Sequence, residues 1–91
     1  MVAQIFLKKD TVVPKHVHEA EQISYIVEGK LRLMLGDDGK QVFDVQAGEV
    51  LVIPSNVPHA ALALEDVYDI DVFSPPREDW IKGQDAYLRG R

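Results

Sequence analysis

The chain has 91 residues, a hydrophobic fraction of 46% and a formal net charge of −5. These values predict a single domain spanning residues 1–91 with a small hydrophobic core. No basic run is longer than Lys8-Lys9, which argues against nucleic acid as a partner. Because there is no cysteine, disulfides, thiolate metal sites and thiol nucleophiles are excluded.

The N-terminal segment, MVAQIFLKKD, has no long apolar stretch and no basic segment preceding one. We therefore expect no signal peptide, no membrane span and no membrane partner. A cytoplasmic location is the expectation that follows.

Short apolar segments separated by turn signals predict about seven β-strands. The segment LRLML at residues 31–35, for example, alternates leucine with other residues, which is the period of a half-buried strand. The predicted strands cover residues 3–8, 22–27, 31–35, 41–45, 50–53, 57–64 and 67–73. Tight turns and the lack of helical crossovers predict an all-β antiparallel sandwich or barrel. Only residues 80–88, after Pro76, have a helical pattern.

Three histidines are the candidate metal ligands. His16 and His18 lie two residues apart in PKHVHEAEQ, so on an extended segment they share a face and can bind one ion. Gln22 could supply an oxygen, and His59 in PSNVPHA would have to come from a different strand. Histidines are often ordinary surface or core residues, so the pair alone leaves both interpretations open.

The residues around the first two histidines resemble the first motif of the cupin family. His16 and His18 match its histidine pair, and Gly29 matches its closing glycine. Asp10 stands in place of the opening glycine, and Gln22 takes the position of the glutamate. Aspartate can adopt the left-handed backbone that glycine serves, so we expect this turn to be kept.

The region around the third histidine resembles the second cupin motif. Gly48, Pro54 and His59 match in register. Asn56 replaces a glycine and Ala63 replaces an asparagine. Asparagine, like aspartate, tolerates the left-handed backbone, so this turn is also expected to be kept.

The resemblance implies a double-stranded β-helix, the RmlC-like jelly-roll barrel, with a short helical C-terminal tail. It also implies one divalent transition metal ion (nickel, iron, manganese, cobalt or zinc) held by His16, His18, Gln22 and His59. With glutamine in place of glutamate the ligand set is neutral, which predicts weaker retention of the ion but a stronger Lewis acid that favours an anionic ligand. The alternation predicts that the neighbouring Glu19 and Glu21 point away.

The last predicted strand has two different faces. One carries Tyr68, Ile70 and Val72, and the other carries Asp69, Asp71 and Phe73. In one interpretation the carboxylates face water and the apolar residues form core. In the other, the acidic face lines the barrel lumen and a second subunit covers the apolar face, which predicts a homodimer. The pattern alone leaves both open.

The spacing of Asp71, Phe73 and Arg77 is similar to that of the KdgF-type cupins of pectin and alginate breakdown, which linearise unsaturated uronates. This resemblance favours the lumen interpretation and implies that Asp71 and Arg77 are catalytic and that Phe73 and Arg77 bind the substrate. The implied activity opens 4,5-unsaturated uronates to linear 4-deoxy-5-keto-uronates. The alternatives are a non-catalytic cupin that binds a metal and a sugar acid, and a dioxygenase or other isomerase on the same barrel.

Overall fold

The computed structural model describes residues 1–74, so the predicted helical tail and Arg77 lie outside the described residues. It contains eight strands: β1 (Val2–Leu7), β2 (Val12–His16), β3 (Glu21–Glu28), β4 (Lys30–Leu35), β5 (Gln41–Gln46), β6 (Val50–Ile53), β7 (His59–Ala63) and β8 (Val67–Ser74). Seven of these correspond to predicted strands. The prediction missed β2, where Pro14 and Lys15 interrupt the apolar alternation. Within residues 1–74 there is no helix of the length and hydropathy that crossing a membrane requires.

The strands form two four-stranded antiparallel sheets. Their order is β1-β8-β3-β6 in one sheet and β2-β7-β4-β5 in the other. Most neighbours in each sheet are distant in sequence, so the chain passes repeatedly between the two sheets. This arrangement confirms the all-β, jelly-roll prediction.

The two sheets face each other across the main hydrophobic core. Strand β4 shows how the sequence builds it, since its leucines are buried while Arg32 and Met34 lie toward the outside. The core cluster consists of Ile5, Leu7, Val13, Ile26, Leu31, Leu33, Leu35, Val45, Ile53, Ala61, Ala63 and Val67. Each large aliphatic side chain in it contributes about 1.5–3 kcal/mol relative to an exposed position.

The two residues that replace glycines of the cupin motifs have the left-handed backbone that was predicted for them. Asp10 and Asn56 have φ values of 71° and 61°, in the left-handed region. Gly29, between β3 and β4, has a φ of 86°, and a Cβ atom there would overlap the carbonyl oxygen of Asp66. The turn before β4 and the turn before β8 therefore pack directly against each other at one end of the barrel.

The central part of the outward side of the β1-β8-β3-β6 sheet is mostly apolar. Cross-strand register places its side chains in two rows, Val2–Val72–Ile23–Val52 and Gln4–Ile70–Tyr25–Val50. We call these two rows the outer apolar face; they contain no charged side chain. Next to them the rings of Phe6 and Tyr68 are stacked with centroids 4.6 Å apart. The expectation that a second subunit covers this surface stays a prediction.

Candidate metal centre

The three histidines meet at one end of the barrel, although they come from distant parts of the sequence. His16, the last residue of β2, lies directly opposite His59, the first residue of β7. His18 lies two positions beyond the end of β2, with only Val17 between. The ring centroid of His59 lies 4.2 Å from that of His16 and 4.8 Å from that of His18. One ligand atom from each of the three lies within 4.8 Å of the others, so the group could hold a metal ion.

Backbone carbonyls orient the three imidazoles. In each ring Nδ1 donates to a carbonyl oxygen two residues away, at 2.7–2.8 Å; the acceptors are Pro14 for His16, Ala20 for His18 and Val57 for His59. A carbonyl oxygen only accepts, so Nδ1 carries the hydrogen, and in the neutral ring the lone pair is on Nε2. The same pattern, in which the other ring nitrogen is fixed by a hydrogen bond, is typical of histidines that ligate metals.

Gln22 adds an oxygen to this set. It is a buried residue of β3, and its Oε1 lies 3.1 Å from Nε2 of His18. Both atoms are acceptors when the imidazole is neutral, so a cation at this point would satisfy both. Glu19 and Glu21 are exposed, in agreement with their predicted orientation. Three imidazole nitrogens and an amide oxygen therefore fit a divalent transition metal.

Asp71 and Phe73 lie inside the barrel. Each is at most 3% exposed, so the interpretation in which the carboxylates of β8 face water is wrong. The ring of Phe73 meets that of His18 edge-on, with centroids 5.7 Å apart. The structure thus brings the predicted metal ligands together with Asp71 and Phe73, while Arg77 is outside the described residues.

Two further polar residues of the interior had no predicted role. Ser24 on β3 lies opposite Asp71 and donates to its Oδ1 at 2.8 Å. Asp69 was placed on the same strand face as Asp71 but was not assigned a function. The signal for Ser24 was its alternation with Gln22 along β3, because residues two apart on a strand share a face.

Burial changes the protonation of Asp69. It is 3% exposed and lies between Ile5 on β1 and Ile26 on β3. Loss of solvation raises its pKa to about 10, and the charge of Asp71 and a hydrogen bond with it act in the same direction. Asp69 therefore holds a proton at neutral pH, beside Asp71.

A common cavity is bordered by His16, His59, Gln22, Asp71 and Phe73. The space inside it that water-sized groups can occupy is about 30 Å³, and with the open solvent at its mouth the space not filled by protein atoms is about 420 Å³. Its deeper wall is apolar and consists of Ile5, Leu7, Val13, Leu31 and Leu33. An apolar cavity with a few converging polar groups is the usual form of a small-molecule site.

Comparison with known families identifies the fold family. The family model described as a cupin domain matches residues 4–73. The chain belongs to the cupin family. A sequence search of curated proteins found no match.

Solved structures place this cupin near several others. KdgF from Halomonas sp. is 33% identical with a TM-score of 0.79, over 88% of this chain and 73% of that one. An RmlC-like cupin from Shewanella frigidimarina is 34% identical with a TM-score of 0.79, over 88% and 69%. A variant of Bacillus subtilis oxalate decarboxylase, OxdC, is 28% identical with a TM-score of 0.71, over 79% of this cupin but only 20% of the decarboxylase. The neighbours of this cupin thus include enzymes.

Proposed function

We propose that this cupin is a metal-dependent enzyme that opens 4,5-unsaturated uronates to linear 4-deoxy-5-keto-uronates. The observation that carries the proposal is a group of three converging imidazoles, two of which border one cavity together with the Gln22 amide and the buried carboxylate of Asp71. The likeness to KdgF from Halomonas sp. supports the same conclusion.

The reaction is an isomerisation, so its protons must balance within the site. A base removes the proton of the anomeric hydroxyl, the bond between C1 and the ring oxygen breaks, and C1 becomes an aldehyde. The electron pair of that bond stays on the ring oxygen, which becomes the oxygen of a C5 enolate. Protonation of C4 then gives the 5-keto acid, with no net gain or loss of atoms.

Asp71 is the residue we assign to both proton transfers. Its carboxylate borders the cavity, accepts a hydrogen bond from Ser24 and lies beside the protonated Asp69. In this role Asp71 accepts the proton from the anomeric hydroxyl and returns one to C4. Phe73 packs against the sugar and excludes water, and Arg77 binds the uronate carboxylate through its planar guanidinium group.

The metal is assigned to His16, His18, His59 and Gln22. When bound there, a divalent ion supplies positive charge for the substrate carboxylate and the developing enolate oxygen. The neutral ligand set is suited to stabilising these negative charges, because no charged protein ligand offsets the charge of the ion. The same chemistry makes an anionic sugar acid the expected partner of the site.

The test is to mix the purified protein with a 4,5-unsaturated galacturonate and follow the loss of ultraviolet absorbance of its C=C bond, with and without a chelator. We expect a rate above the spontaneous one that the chelator abolishes and that Asp71→Asn strongly reduces. No acceleration by metal-loaded protein would contradict the proposal. Thermal stabilisation by the uronate without turnover would then indicate a binding protein, and oxygen consumption by iron-loaded protein would indicate a dioxygenase.

A further inference from the structure

A chain of hydrogen bonds connects a metal ligand to the carboxylate of Asp71 through Ser24. Nε2 of Gln22 donates to Oγ of Ser24 at 2.8 Å, and Oγ of Ser24 donates to Oδ1 of Asp71 at 2.8 Å. Ser24 is 1% exposed, and the other two residues are also buried. Water therefore does not compete for these hydrogen bonds, and their direction is set by the side chains themselves.

The chemistry of the three groups allows one direction along this chain. An ionised carboxylate only accepts, so the single hydroxyl proton of Ser24 is directed at Asp71. The Ser24 oxygen then has only lone pairs left, and these accept from the NH₂ group of Gln22. An amide that points its NH₂ group at Ser24 must turn its oxygen the other way, toward Nε2 of His18.

We propose that Ser24 is a positioning residue that holds Gln22 with its amide oxygen toward the metal and couples this orientation to the charge of Asp71. This inference rests on the metal site of the proposed function but not on the uronate reaction. Without the hydroxyl, the amide of Gln22 can rotate by half a turn and direct its NH₂ group, which is not a metal ligand, at the ion.

The same chain accounts for glutamine at this position of the cupin motif. A glutamate at position 22 has no proton to donate, so its oxygen would face the lone pairs of Ser24. It would also bring a second negative charge close to Asp71 in a buried site. The identities of residues 22, 24 and 71 are therefore linked.

The first test uses metal-free protein and needs no substrate. We expect the side-chain amide protons of Gln22 to give resolved, slowly exchanging NMR signals in the wild type and in Ser24→Thr, which keeps the hydroxyl. In Ser24→Ala these signals should shift and exchange faster. Unchanged Gln22 amide signals in Ser24→Ala would overturn the proposal.

The second test measures the affinity for Co²⁺ by competition with a chelator and records the visible spectrum of the bound ion. Loss of a group that orients a ligand typically costs 10–100-fold in metal affinity. We expect that loss and a changed spectrum in Ser24→Ala, with recovery in Ser24→Thr. Wild-type affinity and spectrum in Ser24→Ala would contradict a positioning role.

A double substitution tests the linkage between residues 22 and 24 without relying on the amide signals. We expect Gln22→Glu to strengthen Co²⁺ binding more in the presence of Ser24→Ala than with serine at position 24, because the alanine removes the opposing lone pairs. Equal gains in both backgrounds would overturn the linkage. If the wild type binds no Co²⁺, the metal site is wrong, and the amide signals of the metal-free protein still decide whether Ser24 orients Gln22.

Discussion

Asp69 and Asp71 lie two residues apart on the inner face of β8, and the burial and shared hydrogen bond of this pair keep a proton on Asp69. An unfolded chain releases that proton near pH 4, whereas the folded protein holds it up to a pH of about 10. Between these values the native state binds the additional proton, so Asp69 lowers the free energy of unfolding as the pH rises. Through this group the free energy of unfolding falls by at most about 1.4 kcal/mol per pH unit.

The first prediction follows from this loss of stability with rising pH. Asp69→Asn removes the ionisable group, so the variant should gain stability over the wild type as the pH is raised from 5 to 9, with no gain below about pH 4. Urea unfolding at each pH measures the difference. Glu65→Gln, at an exposed acid, is the matched control. A difference between Asp69→Asn and the wild type that stays constant with pH would contradict the protonation of Asp69.

The second prediction concerns the metal ligands. His59→Ala should lose most of its bound metal on passage through a desalting column, because a buried imidazole nitrogen is removed from the set. Glu19→Gln, on the exposed rim near His18, should retain the wild-type amount, as elemental analysis would show. Loss of metal in Glu19→Gln instead would identify a carboxylate ligand.

The third prediction separates catalysis from metal binding. Asp71→Asn should reduce turnover of the unsaturated uronate by at least about 100-fold, because proton transfer by a positioned side chain typically contributes 10²–10⁴-fold. Its metal content should stay at the wild-type level, since the three histidines are untouched and the asparagine amide oxygen can still accept the hydrogen bond from Ser24 that orients Gln22. Normal turnover in this variant would exclude Asp71 as the acid–base residue.

The fourth prediction compares two glycines with nearly the same backbone. Gly29 and Gly48 have φ values of 86° and 87°, but a Cβ atom meets the carbonyl of Asp66 only at Gly29 and meets nothing within 4 Å at Gly48. Gly48→Ala should cost about 1–2 kcal/mol, the conformational term alone. Gly29→Ala should cost clearly more, measured by urea unfolding. Equal losses would mean that the turn before β8 moves aside freely.

The fifth prediction tests the expected homodimer. The outer apolar face carries no charge, so two copies with a net charge of −5 each can meet there with little repulsion. Light scattering should give a mass of twice 10.2 kDa for the wild type. Ile23→Lys, at the centre of this face, should give a monomer, and Val42→Lys, an exposed position on the other sheet, should remain dimeric. A monomeric wild type would exclude the dimer.

Seven of the eight strands and the shared face of His16 and His18 could be predicted because they depend on local spacing, whereas His59 and Gln22 joined the candidate ligands through the resemblance to the cupin motifs. Alternating leucines in β4 and the two-residue spacing of His16 and His18 are visible without any knowledge of the fold. Strand β2 was missed because its pairing with β7 outweighs the local effect of Pro14 and Lys15.

The connections inside the barrel could not be predicted in the same way. Ser24 and Asp71 are 47 residues apart, and only the pairing register of β3 with β8 places them opposite each other. The orientation of β8 was also ambiguous from its own residues. Its acidic face lies inward because Asp71 has Ser24 as a partner and Asp69 is protonated, so burial does not leave two unpaired charges.

The contact between Gly29 and the turn at Asp66 lies at one end of the barrel, and the histidines lie at the other end. The two ends should differ in how well they tolerate substitutions. Strand β4 runs from this contact to Leu35, which pairs with His59 at the site, so the two ends are separated by the whole length of the strand. Substitutions in the loops around the histidines can change which ligand binds, while the packed end at Gly29 keeps the fold stable. Such a separation allows one small barrel to acquire new substrates in evolution or in the laboratory.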